Sequence, residues 1–472
     1  MPSRRFDPRD LPADSVLASI LRPRGAPISI EHDGRPLDAF EGEPLAISLL
    51  ARDVHTLARS IKFHRPRGPA CLRGNCEGCL TRVDGVPNCM ACRTPAHARA
   101  RVESQNAFPS ASMDVLRVTD WFFPKKFDHH HLMVQFGETL NRTMQVFARR
   151  MAGLGTLPEY DGDASKAESI DTDVIVIGAG AAGLAAAIVI ARAGYRVLAC
   201  EEETDAGGTL LDEVGYVDAT RKVTGPMFAA ALVEQARAGR IELRTNACAS
   251  ATFDNATLVI TPERALRVTA SARVFANGTH ELVGTFENND LPGVYTARAA
   301  ARALRYGVTL GERCVIVGNA WPADSLAQAL RDAGSHVDWF PSGKLVGVDG
   351  TASVSKARVT DGTKERRVKC DAVIVADEAV PAYELLGQAG LDVEPDTARL
   401  CFAPRVAADG STERRDVFAC GSVRSAIARY ETVDLRDPLA AGGAVADGMR
   451  TGERVVQALR EDKIATRNEV RA

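Results

Sequence analysis

One segment constrains the fold of this chain more than any other, residues 173–203, DVIVIGAGAAGLAAAIVIARAGYRVLACEEE. A run of β-branched residues comes first, followed by three glycines with the spacing Gly178-x-Gly180-x-x-Gly183 and by two further apolar stretches. That order indicates a strand, a glycine turn, a helix and a parallel strand, which form the βαβ unit of doubly wound folds. The segment therefore predicts an α/β domain built on a parallel sheet.

The three glycines are spaced as in a dinucleotide-binding turn. Gly178 makes the turn, Gly180 lets a pyrophosphate approach the backbone, and Gly183 lets the helix meet the strand. The phosphates lie on the helix N-terminus, whose N–H groups and dipole favour an anion. Glu201 ends the next strand, where an acidic residue holds the ribose hydroxyls.

A weaker copy of this unit begins about 140 residues later, ERCVIVGNAWPADSLAQALRDAGSHVDWF. Its residues at the corresponding positions are Gly318, Ala320, Ala323 and Pro341. The methyl group of Ala320 stands where a pyrophosphate would approach, and the Pro341 side chain cannot accept a hydrogen bond from a ribose. We therefore expect a retained scaffold rather than a working nicotinamide site. Apolar strands beyond this copy predict that the first domain resumes after it, so that one Rossmann-like domain is inserted in the other.

Five of the eleven cysteines lie within 22 residues, and they indicate a metal centre: Cys71, Cys76, Cys79, Cys89 and Cys92. The spacing of the first three, with one more cysteine downstream, is the plant-type pattern of a 2Fe–2S cluster. Glycines at 74 and 78 allow the loop to fold closely around inorganic sulfides. From the spacing alone, either of the last two cysteines can be the fourth ligand. The last four cysteines also fit a zinc ribbon, and a bare redox dithiol is a third interpretation.

The region around these cysteines has short strands and turns. ISIEHDGRPLDAF reads as two strands joined by an Asp-Gly turn, GEPLAISLLARDV as a helix, and LTRVDGVPNCMAC as a second strand pair. Residues 27–105 therefore predict a small β-grasp module in front of the two dinucleotide domains.

The cysteine segment PRGPACLRGNCEGCLTRVDGVPNCMACRTPA resembles the 2Fe–2S module of hydrogen cyanide synthases, proline and hydroxyproline dehydrogenases and opine oxidases. It is also similar to the N-terminal part of the α subunit of heterotetrameric sarcosine oxidase, as are ENNDLPGVYTARAAARALRYGV and the late FACGS segment. The resemblance covers residues 27 to about 460. It stops before the family's folate-binding C-terminal half, so we expect a shorter α-like subunit.

The resemblance implies a specific set of cofactor ligands. The Ala-Cys-x-Thr-Pro context of Cys92 makes it the fourth cluster ligand beside Cys71, Cys76 and Cys79, and leaves Cys89 as an extra cysteine. FAD is favoured over NAD in the first dinucleotide site, because a Gly-Gly pair at this distance lies against the flavin end of FAD in such flavoproteins. The implied FAD-contacting residues are Gly178, Gly180, Gly183, Glu201, Gly207, Gly208, Gly421 and Ser422, the last standing in place of the family's acid.

Together these features predict six segments: an arm (1–26), a 2Fe–2S domain (27–105), a helical connector and linker (106–170), an FAD-binding domain in two parts (171–285 and 396–472), and a degenerate NAD-like domain (286–395). By resemblance, the chain is an electron-transfer subunit. An amino-acid-oxidase-type FAD subunit would be its partner and would oxidise a secondary amine or imino acid such as sarcosine, proline, hydroxyproline or an opine. A self-sufficient NAD(P)H-dependent reductase and a zinc-stabilised scaffold are the alternatives.

Other features add little to this interpretation. The formal net charge of −3 gives no reason to expect nucleic acid, and the glycines within the apolar run 174–191 argue against a membrane span. The first residues show no apolar core of a signal peptide, and we expect a cytoplasmic protein. His129, His130 and His131 are adjacent in sequence, an arrangement that rarely lets three side chains share a metal. Basic residues near the cysteines suggest a solvated face, charge compensation of the anionic cluster or a docking surface for an acidic partner: Arg59, Lys62, Arg65, Arg67 and Arg73. No motif identifies a catalytic residue.

Overall fold

The computed structural model describes residues 3–61, 63–107, 110–117, 139, 142, 167–377, 379–397, 400–424 and 433–469. The chain forms two compact units, Met1–Tyr160 with Leu282–Asp377, and Asp161–Glu281 with Glu378–Ala472. Most of the predicted connector, the histidine run and Lys62 lie outside the described residues. In the ranges that are described, no helix is both long enough and apolar enough to cross a membrane.

The N-terminal part of the first unit is a five-stranded sheet with the order β2-β1-β7-β5-β6. Strands β1 and β7 are parallel and the other neighbours are antiparallel, which confirms the predicted β-grasp module. Its two hairpins turn at Asp-Gly pairs with positive φ, at 33–34 and 84–85. The elements are α1 (Leu17–Ile20), β1 (Pro27–His32), β2 (Arg35–Phe40), α2 (Leu45–Leu50), β3 (Ala58–Arg59), β4 (Pro66–Arg67), β5 (Leu80–Val83), β6 (Val86–Met90) and β7 (Arg101–Glu103).

The second unit begins with the predicted βαβ segment. Its parallel strands have the order β12-β9-β8-β15; β14 then pairs antiparallel with β15, and β13 pairs antiparallel with β14. β8 begins at Glu168, five residues before the segment 173–203 recognised in the sequence, because its first residues pair with β15 from Leu266 onward. The elements are β8 (Glu168–Ile177), α3 (Ala181–Arg192), β9 (Val197–Cys200), β10 (Tyr216–Asp218), β11 (Val223–Thr224), α4 (Gly225–Ala238), β12 (Glu242–Arg244), β13 (Cys248–Phe253), β14 (Ala256–Ile260), β15 (Ala265–Phe275) and β16 (Thr279–His280).

Residues 282–377 form the second dinucleotide-type domain and belong to the first unit. A parallel sheet with the order β17-β23-β18-β19 packs beside an antiparallel sheet, β20-β21-β22, through a shared valine-rich core. The elements are β17 (Val294–Thr296), α5 (Ala297–Arg305), β18 (Arg313–Gly318), α6 (Ala323–Asp332), β19 (His336–Phe340), β20 (Lys344–Gly350), β21 (Val354–Thr360), β22 (Glu365–Lys369) and β23 (Ala372–Ala376).

The chain then returns to the second unit, where β27 joins β15 in parallel. This return begins at Glu378, whereas the sequence places it at 396, because Leu386, Ala389 and Leu391 pack into the core of the second unit. The exact domain boundaries stay a prediction, but the fold class is confirmed. The elements are β24 (Val380–Pro381), α7 (Glu384–Gln388), β25 (Val393–Asp396), β26 (Cys401–Pro404), β27 (Val417–Ala419) and α8 (Gly443–Glu469).

Helix α8 lies very close to the dinucleotide helix α3. A Cβ atom built on Gly448 would lie 2.1 Å from the carbonyl oxygen of Ala182, and one on Gly452 would lie 2.9 Å from that of Ala186. The two helices therefore meet backbone to backbone at glycines four residues apart, which brings the second turn of α8 to the start of α3.

Candidate cofactor sites

Four of the five clustered cysteines come together in the β-grasp module. Cys71, Cys76 and Cys79 lie on the loop between β4 and β5, and Cys92 follows β6. The N–H of Ala91 donates to the carbonyl oxygen of Cys79 at 3.0 Å, which holds the segment after β6 against the end of the loop. We call these four residues the cysteine quartet; three of its members are buried and Cys76 is half-buried.

The sulfur atoms of the quartet contact one another and the loop backbone. The Sγ atoms of Cys71 and Cys76 are 3.4 Å apart, and Cys92 is hydrogen-bonded to both Cys71 and Cys79. The N–H groups of Arg73 and Asn75 donate to the Cys71 sulfur at 3.4 and 3.3 Å. Backbone donors directed at thiolate sulfur are what an iron–sulfur cluster uses to stabilise its negative charge.

Their close packing makes the thiols of Cys76 and Cys92 difficult to ionise on their own. The pKa of Cys76 lies far above the ordinary thiol value because of its hydrogen bond with Cys71 and its burial. At Cys92 the hydrogen bond with Cys71 lowers the pKa, but that with Cys79 and burial outweigh it, so this pKa is raised as well. Four adjacent thiolates therefore need metal cations among them, and the donor set fits an iron–sulfur cluster.

Cys89 lies on the β5–β6 hairpin with contacts of its own. It pairs with Thr81 across the hairpin, and its sulfur lies 3.5 Å from the carbonyl oxygen of Val86. The zinc-ribbon set requires this cysteine, whereas the structure groups the other four. Within the described ranges, no three or more His, Cys, Asp or Glu side chains are arranged to hold a single metal ion. The quartet's role as the ligand set stays a prediction.

The loop that carries the cysteines is supported by the inserted domain of the same unit. A Cβ on Gly78 would lie 2.0 Å from the carbonyl oxygen of Gly68, so this position excludes a side chain. The N–H of Thr296 donates to the carbonyl oxygen of Ala70 at 3.0 Å, and Arg302 donates to that of Leu72, also at 3.0 Å. Sequence reasoning missed Arg302, since nothing local to the cysteines points to it.

Several of the predicted basic residues bind acceptors within the unit. Arg59 is 3% exposed and donates to the carbonyl oxygens of His64 and Ala111. Arg65 and Arg67 both pair with Asp290 of the inserted domain. Burial therefore removes Arg59 from any solvated face, whereas Arg65 and Arg67 bind Asp290 with about a third of each side chain still exposed.

The first dinucleotide turn has the close approaches that its glycines require. Gly178 has a φ of 98°, and a Cβ there would lie 2.5 Å from the carbonyl oxygen of Ala276. A Cβ on Gly183 would lie 2.0 Å from the carbonyl oxygen of Gly178. These two glycines serve the fold of the turn itself.

Gly180 is different, because its missing side chain leaves room beside another glycine segment. It forms an isolated bridge with Gly207, and a Cβ on Gly180 would meet only the Cα atom of Gly208, at 3.8 Å. It is also the N-cap residue of α3, so no side chain caps the first N–H groups of that helix. The Gly-Gly pair thus lies at the turn, and the uncapped helix end suits a pyrophosphate.

Glu201 lies at the end of β9 and is 6% exposed. Its carboxylate accepts the N–H of Ala179 at 2.9 Å and that of Glu203 at 3.1 Å. Burial raises the pKa of this carboxyl to about 7, despite the two backbone hydrogen bonds that lower it. The group therefore lies beside the turn, where each oxygen retains a lone pair for a ribose hydroxyl.

The late strand brings Gly421 to the same helix end. A Cβ on Gly421 would lie 3.0 Å from the Cβ of Ala182, and Ser422 lies close to Gly278. The N–H of Gly421 donates to the carboxylate of Asp447 at 2.8 Å; this buried residue of α8 also binds Arg424. The sequence showed no acid at position 422, and Asp447 was missed because only helix packing places it here.

A buried polar atom marks the same edge of the sheet. Asn277 follows β15, next to the turn, and its side-chain amide N–H donates to the carbonyl oxygen of Ala382 at 2.6 Å. Its Oδ1 atom is buried without a hydrogen-bond partner among the described residues. An acceptor left this way is satisfied when a ligand or water binds, so the residues present fit a dinucleotide.

The second turn is built differently. Gly318 keeps the positive φ, at 101°, but its carbonyl oxygen accepts the indole N–H of Trp339 at 2.9 Å. Asp324 is an exposed acidic residue in the first turn of α6, where its negative charge interacts favourably with the helix dipole and disfavours a second anion. The ring of Trp321 lies 5.2 Å from the guanidinium carbon of Arg298. The second turn thus differs from the first by an acidic residue in the first turn of its helix and by two tryptophans beside it.

Comparisons with known proteins match both parts of the chain. Residues 25–107 match the 2Fe-2S iron-sulfur cluster binding domain, and residues 172–346 match the pyridine nucleotide-disulphide oxidoreductase family. The chain is also similar to the hydrogen cyanide synthase subunit HcnA of Pseudomonas aeruginosa. The two are 33% identical over 81 residues, which are 17% of this chain and 77% of that subunit. The chain belongs to the family of oxidoreductase subunits that includes this HcnA subunit.

Two further known proteins match this chain over most of its length. The sarcosine oxidase subunit alpha of Rhizobium meliloti is 28% identical over 404 residues, which cover 77% of this chain but only 41% of that subunit. The chain thus matches less than half the length of that relative. The L-proline dehydrogenase of P. horikoshii shares the fold, with a TM-score of 0.68 and 20% identity over 93% of this chain and 75% of that one.

As a member of this family, the chain is an oxidoreductase subunit with FAD and a 2Fe–2S cluster as cofactors. The cluster-binding match spans all five clustered cysteines, so it does not choose among them. The second match contains the whole of the first dinucleotide turn and Glu201. Family membership and fold, as predicted from the sequence, are thereby confirmed.

Proposed function

We propose that this chain is the electron-transfer subunit of a cytoplasmic hetero-oligomeric oxidoreductase whose partner, an amino-acid-oxidase-type flavoprotein, oxidises a secondary amine or imino acid. Electrons would reach this chain's FAD and cluster from the partner and leave for an acceptor. The substrate class follows the sarcosine named in its relative, which is a secondary amine. Proline, hydroxyproline and opines share that chemistry.

The observation that carries the proposal is the contrast between the two dinucleotide turns. The turn at Gly180 faces Gly207 and Gly208, and its helix has no acidic residue in the first turn, whereas the helix of the second turn has Asp324 there. A bound NAD(P)H would need the second turn for its pyrophosphate. A chain that cannot take hydride from a nicotinamide must receive electrons from another donor.

The chain's own residues would hold the two cofactors separately. The first-turn glycines, the Gly207–Gly208 pair, Gly421 and Ser422 would bind and orient FAD, and Glu201 would hold its ribose. The cysteine quartet would hold the cluster. When bound, FAD supplies two-electron chemistry and the cluster one-electron chemistry, while the protein sets their positions and potentials.

Co-expression with a partner tests the proposal. The purified chain alone should show no amine-dependent dye reduction, whereas addition of its co-purifying flavoprotein should restore that activity with sarcosine, proline or an opine. Full activity of the isolated chain would refute the subunit assignment.

Anaerobic mixing with NADH or NADPH tests the alternative of a self-sufficient reductase. We expect the flavin absorbance to remain, because the methyl group of Ala320 and the negative charge of Asp324 disfavour a pyrophosphate at the second turn. Dithionite should bleach the same sample, which shows that the flavin is reducible. Rapid bleaching by either nicotinamide would contradict the proposed direction of electron flow.

A further inference from the structure

Helix α5 carries buried positive charge next to the cysteine loop. Arg298, Arg302 and Arg305 are each less than 10% exposed, although arginine is rarely buried unless it is paired. Arg302 is 5% exposed and donates from Nη1 to the carbonyl oxygen of Leu72 at 3.0 Å. Leu72 itself has a φ of +50°, a left-handed conformation that a leucine adopts only when its surroundings hold it there.

The peptide unit between Leu72 and Arg73 links this guanidinium to a cysteine sulfur. At one end its carbonyl oxygen accepts the hydrogen bond from Arg302. At the other end its N–H, that of Arg73, donates to the Sγ atom of Cys71 at 3.4 Å. Hydrogen bonds in series polarise one another, so the guanidinium makes this N–H a stronger donor to the sulfur.

Both effects act on the charge of a bound cluster in the same direction. One-electron reduction adds a negative charge to the cluster and its thiolates, and a nearby fixed cation together with a stronger N–H···S bond stabilises that charge. We propose that Arg302 is a positioning residue that raises the reduction potential of the 2Fe–2S cluster through the Leu72–Arg73 peptide. This inference rests on the proposed ligand set, Cys71 in particular.

The geometry explains why an arginine from the inserted domain can do this. The N–H of Thr296, immediately before α5, binds the carbonyl oxygen of Ala70, and the Thr296 hydroxyl oxygen accepts the N–H of Ala299 in the first turn of the helix. The helix start is therefore tied to the cysteine loop two residues from Leu72. Because Arg302 is buried, its charge is poorly screened by salt.

The experiment measures the reduction potential of the cluster in purified full-length protein. Arg302→Gln removes the charge, Arg302→Lys keeps a charge but loses the planar fork, and Arg331→Gln removes one charge from an exposed residue of α6 as a matched control. We expect Arg302→Gln to disfavour reduction about tenfold, a potential about 59 mV more negative for a one-electron couple. Arg302→Lys should shift it about threefold, and Arg331→Gln should leave it unchanged.

Iron, sulfide and the visible spectrum are measured first, so that the ligand set and the role of Arg302 are tested separately. If Cys71→Ser retains the cluster, the ligand assignment is wrong. If the cluster is complete in Arg302→Gln and its potential equals that of the wild type, or if Arg331→Gln shifts equally, the inference about Arg302 is overturned. If Arg302→Gln loses the cluster, the reduction potential of Arg302→Lys tests the inference in its place. A threefold shift against reduction supports the inference, and a potential equal to that of the wild type overturns it.

Discussion

FAD affinity should depend on pH through Glu201. Burial raises the pKa of this carboxyl to about 7, so close to half of the FAD-free molecules carry it protonated at neutral pH. Ribose hydroxyls that donate to the carboxylate favour its charged form. Binding should therefore lower this pKa and release a proton, and the affinity should be greatest above pH 7 and fall as the pH is lowered.

The size of the effect follows from the fraction of molecules that are ionised. With a pKa of about 7, about nine-tenths of the carboxyl groups are charged at pH 8 and about one-tenth at pH 6. If only the charged form binds, the Kd for FAD rises about tenfold between these values, a loss of about 1.4 kcal/mol. Glu201→Gln should bind FAD more weakly than the wild type at pH 8, with a Kd that no longer changes between pH 6 and pH 8.

Titration of the deflavinated protein with FAD at pH 6, 7 and 8, followed by flavin fluorescence, measures this dependence. Glu234→Gln is the matched control, since it removes a charge from an exposed residue of α4 that does not act on Glu201 and should keep the pH dependence. A wild-type Kd that does not change with pH would refute the reasoning. So would a Glu201→Gln variant that retains the tenfold change.

The other predictions concern the cysteines and the glycine turn. Replacing any member of the cysteine quartet by serine should lose iron, whereas Cys89→Ser should keep the complete cluster spectrum. If Cys89→Ser loses iron and Cys92→Ser retains it, the assignment of the fourth ligand is reversed. Gly180→Val should yield a folded protein without FAD, because this position has space in the protein but faces the pyrophosphate. Gly183→Val should also lower the thermal stability of the FAD-free protein, because its Cβ would lie 2.0 Å from a backbone oxygen. Equal melting temperatures for the FAD-free Gly180→Val and Gly183→Val variants would contradict this distinction.

Local sequence was sufficient for the features that depend on residues close together in the chain. The glycine spacing at 178–183 predicted a turn whose close backbone contacts the structure contains, because those contacts form within a few residues. The Asp-Gly turns of the β-grasp module were predicted for the same reason. The spacing of Cys71, Cys76 and Cys79 likewise placed them on one loop.

Contacts distant in sequence were decided only by the tertiary structure. Cysteine spacing left Cys89 and Cys92 open, and resemblance favoured Cys92. The structure separates them because the hairpin holds the sulfur of Cys89 against Val86. Asp447 reaches Gly421 from a helix 26 positions further along, and Arg302 reaches Leu72 across 230 positions.

Burial is the other quantity that the sequence alone did not supply. The predicted role of Glu201 followed from its place after a strand, but its raised pKa comes from the packing that removes it from water. The arginines near the cysteines suggested a solvated or docking face, yet Arg59 is buried and Arg65 and Arg67 bind Asp290 within the first unit. Residue types and their spacing specify which chemistry a chain can perform, whereas the protonation state and the available surface of a group depend on neighbours that only folding brings to it.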